Sequence, residues 1–235
     1  MRARTFTGRT AASGQGHAYH HGHLRQALLA AAQSVLDERG LEGFTLRECA
    51  RRAGVSHAAP AHHFGDAAGL LTAFAALGLR QLEARMRRRA AAPASPEAQW
   101  RAGALAYIEF AMAHRAHFQL MFRGDRLLPG DVELALARQD VAGRWSAALS
   151  AVLAARRIEL DAEAFAARLQ LAWSSVHGFA VLLLEGQGSG PRGRRALAAY
   201  AAAGGRMLAL LEPAVFAPAA PAPASAAGPA RRRTA

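Results

Sequence analysis

Thr45-Leu46-Arg47-Glu48-Cys49-Ala50-Arg51-Arg52-Ala53-Gly54-Val55-Ser56-His57-Ala58-Ala59-Pro60-Ala61-His62-His63-Phe64 is the stretch on which the fold turns. Leu46, Cys49, Ala50 and Ala53 recur at i, i+3, i+4 and i+7, which puts four apolar groups on one face of a helix. Thr45, followed three residues later by Glu48, forms a capping box at the start of that helix. Gly54 ends it, because glycine enters the left-handed region without a Cβ clash. Val55 then turns back toward the core, and Ser56 is placed to cap a second helix running to about Phe64. A short helix, a glycine turn and a second helix with a polar tip is the plan of a helix-turn-helix. For the isolated segment the alternative is an ordinary corner between two helices. In a helix-turn-helix the second helix enters the DNA major groove with its N-terminal residues toward base edges.

The flanking sequence supplies the rest of a compact head. Leu24, Leu28, Ala31 and Val35 keep helical stride after Tyr19-His20-His21-Gly22-His23, and Gly40 stops that helix. Gly65-Asp66 opens a further helix with Leu70, Phe74 and Leu77 facing inward, which leaves through Arg85-Met86-Arg87-Arg88-Arg89. Basic residues suit that end of a helix. Residues 90–96, with two prolines, break the pattern. Beyond them Trp100, Ala104, Tyr107 and Ala111 predict one helix continuing to about Phe122, then a loop from Gly124 to Gly130 and a long helix over Val132–Ala155. After a break at Arg156–Leu160, Asp161 caps a helix carrying Phe165, Leu169, Ala172, Val176, Ala180 and Leu183 on one face. Gly186–Gly193 is a loop, Ala196–Leu211 the last helix, and Pro213 its stop. No strand-like alternation occurs, so the fold class is all-α. The expected domains are a disordered basic arm (1–18), a helix-turn-helix domain (19–66), a helical ligand-binding and dimerisation domain (67–212), and a disordered Pro/Ala/Arg tail (213–235).

The chain has 235 residues, net charge +12 and pI near 11.5. All its basic residues are arginine. Such a balance points to a polyanionic partner, nucleic acid before membrane. Residues 1–19 and 213–235 each hold three arginines and no acid, whereas residues 20–89 and 90–212 carry net +4 and +2. Half of the surplus therefore lies at the two ends. A single cysteine excludes an internal disulfide framework, and its place on the apolar face of a helix makes Cys49 a small core residue. No apolar run approaches a membrane span, Phe179–Leu184 being far too short, and the N-terminus lacks the apolar stretch of a secretory signal. The expected location is the cytoplasm.

Tyr19-His20-His21-Gly22-x-Leu24-Arg25, Gly43-Phe44-Thr45-Leu46-Arg47, Ala53-Gly54-Val55-Ser56-His57-Ala58-Ala59-Pro60 and His63-Phe64 together resemble the DNA-binding head of the TetR family of transcriptional regulators. Phe110-Ala111-Met112-Ala113-His114, Phe118-x-Leu120-Met121-Phe122 and Trp173 with Val176-His177-Gly178 are similar to a subgroup marked by Trp, His and Gly in its C-terminal domain. The resemblance implies a homodimer paired through the last two large helices, a small-molecule pocket in each C-terminal domain, and two heads on a palindromic double-stranded DNA operator. Two positions depart from the family pattern, Ala61 and Ala67, where an aromatic and a lysine are usual against the DNA backbone. Pro60, read as the fourth residue of the second helix, removes its first internal hydrogen bond and implies a loose N-terminus there.

The residues expected to face DNA are Thr45, Arg47, Ser56, His57, Ala58, His62 and His63. Hydroxyls and helix N-termini hold phosphates, and side chains at the front of the second helix read bases. The competing role for Arg47 is an ion pair with Glu48 or Glu42. The candidate effector residues are Trp100, Tyr107, Phe110, His114, Phe118, Met121, Phe122, Trp145, Trp173 and His177. They fit an apolar cavity with a few fixed polar groups, although aromatics at helical spacing also make ordinary core. His17, His20, His21 and His23 invite a metal reading, but they sit on a loosely structured lead-in without a rigid frame. No metal and no cofactor is expected. Paired Glu-x-x-His elements of a di-metal bundle are absent, and no nucleophile–base pair is recognisable, so an enzyme is not expected. The remaining alternative is a protein that coats DNA without regard to sequence. The expected function is a ligand-responsive regulator, acting as a repressor that a small apolar effector releases from its operator.

Overall fold

The computed structural model describes residues 16–186 and 194–218, and the side chains of 23–186 and 198–218. The expected arm before residue 16, most of the 186–193 loop and the tail from residue 219 lie outside the described residues. Within them the protein is α-helical with no strand. The helices are α1 (Gly16–Arg39), α2 (Leu46–Ala53), α3 (Ala59–Phe64), α4 (Ala67–Ala90), α5 (Pro96–Ala113), α6 (Arg115–Met121), α7 (Val132–Ala155), α8 (Ala162–Leu184) and α9 (Arg194–Val215), with a 3₁₀ turn at Gly124–Arg126. Two compact units result, one formed by the chain up to Met86 with Glu109–Gly143, the other by Arg87–Ile108 with the chain from Arg144. Helices α4, α5 and α7 each contribute to both units.

In the first unit the inward stripes meet as the periodicity requires. Leu28, Ala31 and Val35 of α1, Cys49 and Ala50 of α2, and Leu70 and Phe74 of α4 are all buried. The caps follow the local chemistry. The Thr45 hydroxyl accepts from Glu48 N at 3.2 Å, and Asp66 Oδ1 accepts from Gly69 N at 2.8 Å ahead of α4. Gly54 adopts φ +68°, with Gly54 N donating to Arg51 O and Val55 N to Ala50 O, the paired bonds that close a helix C-terminus. In the second unit Ser95 Oγ accepts from Ala98 N and Asp161 Oδ1 from Ala164 N, fixing the starts of α5 and α8. On α8, Ala172, Val176, Ala180 and Leu183 are buried.

Four local expectations need correction. Helix α1 begins at Gly16, ahead of the expected lead-in. The helix expected to continue to Phe122 instead breaks at His114, whose φ −129° and ψ 55° lie outside the helical region, so α5 and α6 are separate. Helix α3 starts at Ala59, later than expected; Ala58 is its N-cap residue and Ser56 makes only a turn through its carbonyl to Ala59 N. Pro60 consequently lies in the first turn, where the backbone N–H has no helical partner to lose, and its predicted loosening effect has no basis. Last, Pro213 does not end α9, which runs on to Val215. Val215 and Phe216 are buried, and Phe216 N donates to Glu212 O at 2.8 Å. Burying two large apolar side chains outweighs one missing bond in a terminal turn.

Candidate nucleic-acid interface and aromatic sites

The turn between α2 and α3 presents its polar residues outward. Thr45, Arg47, Ser56, His57, Ala58 and His62 are exposed, and His63 is half-buried with its ring 6.4 Å from that of Phe64. The Arg25 guanidinium lies over the same Phe64 ring, 5.6 Å from its centroid, tying α1 to the end of α3. Thr45 uses an oxygen lone pair for the cap, which leaves its O–H able to donate. The reciprocal half of the capping box is replaced. The Glu48 carboxylate instead takes Arg51 at 2.7 and 2.9 Å, Arg52 at 2.8 Å and Arg39 at 3.1 Å. The Arg51 and Arg52 guanidiniums hold its pKa down at about 2. Glu42 in turn pairs with Arg126. Both acids that competed for Arg47 are therefore engaged elsewhere, and Arg47 is exposed and without a partner among the described residues. The Cys49 thiol lies under this surface, fully buried, with burial pushing its pKa up to about 11.

The candidate effector residues divide between the units. Phe110, His114, Phe118 and Met121 belong to the first, where Phe110 and His114 rings lie 4.7 Å apart. Phe122, expected with them, is 41 % exposed and meets the Phe118 ring edge-on. The sequence reading missed His117. It is 4 % exposed, stacked on Phe74 at 3.8 Å, and both of its ring nitrogens lack a hydrogen-bond partner among the described residues. Burial, and secondarily His114, pushes its pKa down to about 4. Gly78 makes that packing possible, because a Cβ there would stand 2.7 Å from the imidazole Cδ2. The polar residue one turn below a helix break was a visible signal, but nothing in the spacing distinguished it from a surface histidine. His114 is held below its ordinary value by burial and by the charge of Arg85, against a smaller opposing effect of Asp37.

Trp100, Tyr107, Trp145, Trp173 and His177 belong to the second unit. Tyr107 Oη and His177 Nδ1 are 2.8 Å apart, and His177 stacks on Trp173 with centroids 5.3 Å apart. Burial raises the Tyr107 pKa and lowers that of His177, so the phenol and the neutral imidazole are the working forms. Trp145 meets Tyr107 and Trp100 edge-on at 5.9 and 6.4 Å. Trp100 is 1 % and Trp145 3 % exposed, yet neither indole N–H has an acceptor among the described residues. A buried unmade bond costs about 1–3 kcal/mol, so a core gains nothing from two of them in one cluster.

No group of three or more His, Cys, Asp or Glu side chains placed to hold a metal occurs among the described residues. No described helix is long and apolar enough to cross a membrane.

Comparisons with known proteins agree with this geometry. The profile for bacterial regulatory proteins of the tetR family matches residues 28–74, and that for the tetracyclin repressor-like C-terminal domain matches residues 100–204. The HTH-type transcriptional regulator BetI of Burkholderia mallei is 46% identical over 79 residues, covering 33% of this chain and 40% of that relative. The matched stretch is thus under half of the relative's length. A protein of unknown function from Rhodococcus sp. RHA1 is similar in structure with TM-score 0.65 and 33% identity, covering 82% of this chain and 98% of that one. The TetR family transcriptional regulator PfmR of Thermus thermophilus shares the fold with TM-score 0.59 at 20% identity, covering 84% and 98% of the two chains. With both profiles falling in order on the helices described above, the chain belongs to the tetR family of bacterial regulatory proteins.

Proposed function

We propose that the protein is a cytoplasmic, non-enzymatic transcriptional repressor that binds a palindromic DNA operator as a homodimer and leaves it when a small, largely apolar effector binds. The observation that carries this reading is the outward display of Ser56, His57 and Ala58, held by the left-handed Gly54 turn, beside an unpartnered Arg47. The side chains of Ser56 and His57, just ahead of α3, and the exposed His62 on it read bases in the major groove, while Thr45 and Arg47 grip phosphates and set the register. A homodimer supplies two such helices about 34 Å apart, the spacing of successive major grooves. Its contact surface is on α8 and α9, where Leu171, Leu182 and Leu210 are 42 %, 49 % and 83 % exposed. Exposed leucines on two packed helices are expensive to leave in water and suit pairing with a second copy.

The effector acts through its different affinity for the operator-bound and free arrangements. The half-satisfied aromatic group of Trp100 and Trp145 supports an effector site in the second unit. Competition between operator and random duplex tests the reading. Preference for the operator by at least about a thousandfold is expected for a specific regulator. Equal affinity for both would make the protein a sequence-indifferent DNA coat. Leu182→Glu should yield monomers by analytical ultracentrifugation and lose tight operator binding; dimers with full affinity would place the interface elsewhere.

A further inference from the structure

Phe216 occupies a place that a separate molecule could take. Its ring is 1 % exposed and meets Trp100 edge-on at 5.1 Å, with the Arg156 guanidinium 5.0 Å above its centroid. The segment carrying it is tied by side chains. Glu212 pairs with Arg101, whose Nε lies 2.7 Å from Oε1, and Arg168 donates to the carbonyls of Val215, Ala217 and Pro218. Pro213 deprives this last turn of one backbone bond, which lowers the cost of peeling it back. Its departure would remove Glu212 from Arg101 and the carbonyls from Arg168. Arg156 would then face the vacated place, Arg101 and Arg168 would have lost these partners, and Glu97, the partner of Arg156 at 3.0 Å, would be the acid left among these groups. The ring already there, the acceptor-seeking N–H groups of Trp100 and Trp145, and the released guanidiniums define the chemistry of a replacement.

We propose that the Trp100–Trp145 cluster with Arg156 is a binding site for an aromatic carboxylate, which enters by displacing Phe216. The ligand ring takes the place between Trp100 and Arg156, where the protein's own phenyl ring shows that one fits. The carboxylate supplies charge to the arginines and oxygen lone pairs within a cluster whose unmade bonds are all donors. Affinity for free ligand is then set by competition with the chain's own segment, so loosening that segment tightens binding. The proposal rests on the effector reading for its consequence at DNA, but not for the binding itself.

The test is a titration of the full chain with 3-phenylpropanoate and, separately, with the neutral 3-phenylpropan-1-ol, read by tryptophan fluorescence. Phe216→Ala should bind the acid at least tenfold more tightly than the natural chain, and Glu212→Gln several-fold more tightly. Arg156→Met should lose most of the preference for acid over alcohol. Circular dichroism decides whether Phe216→Ala is folded, and if it is not, Glu212→Gln decides alone. Unchanged affinity in every folded variant, or no acid binding by them at 10 mM (about 2.7 kcal/mol of affinity), would overturn the site. Equal binding of acid and alcohol would overturn the ligand class. Operator affinity is measured on the same samples: acid that binds without releasing operator overturns the effector reading and leaves the site, whereas no acid binding by a protein that holds its operator overturns only the site.

Discussion

His117 is a residue whose cost is visible in a single observation: an imidazole packed against Phe74 and Gly78 with neither nitrogen satisfied. The folded protein prefers the neutral ring, so proton uptake below pH 6.5 favours the unfolded chain. Stability from this site is complete above pH 6.5 and is lost as the pH falls toward about 4, where the folded ring also charges. Replacing it by leucine should flatten the dependence of Tm on pH across that window; a variant with the natural acid limb would contradict the assignment. Gly78→Ala drives a methyl group to 2.7 Å from the same ring and should destabilise by about 1–3 kcal/mol, read as a lower Tm. At the DNA face, Arg47→Ala should weaken binding to operator and random duplex by similar factors in a gel-shift titration, because a phosphate contact carries no sequence information. His57→Ala should instead narrow the gap between the two, by up to about 1–3 kcal/mol if the imidazole reads a base.

Among the elements, the bounds of α2 were legible, though the Glu48 carboxylate turns to arginines and not back to the cap. A period of apolar residues, a threonine at one end and a glycine at the other are local signals, and each acts through the backbone within a few residues. Gly54→Ala should cost about 1–2 kcal/mol at φ +68°, lowering Tm by about 2–4 °C per kcal/mol, and should weaken operator binding by disturbing the aim of α3. Where the reading failed, the deciding interactions were distant in sequence. The break at His114 follows a stretch that keeps perfect apolar stride, so periodicity alone carries it through to Phe122. Proline chemistry gave the right rule at Pro213 and the wrong outcome, since the burial of Val215 and Phe216 holds the turn that proline weakens. At Pro60 a shift of the helix start turned an interior proline into a first-turn one.

On the scale of the whole molecule, the all-α class and the order of the helices followed from pattern, but the grouping into units did not. Long helices α4, α5 and α7 each serve both units, and nothing along a continuous helix marks where its contacts change partner. The same limit explains the candidate effector residues: stride identified them as inward, yet their division into two aromatic groups depends on which helices meet. Net charge was equally ambiguous, since composition counts arginines without saying which are already engaged.

The Glu48 carboxylate, with Arg39, Arg51 and Arg52 gathered around it, has a consequence for the ionic atmosphere of a bound duplex. Guanidiniums that already have an anion for company displace few cations from DNA. A plot of the logarithm of the operator binding constant against the logarithm of salt concentration should therefore have a gradient well below the one obtained by counting every arginine of the head. Changing Glu48 to glutamine would free Arg39 and Arg51, while Arg52 keeps its pair with Glu38, and would steepen the line, with random duplexes gaining affinity alongside the operator.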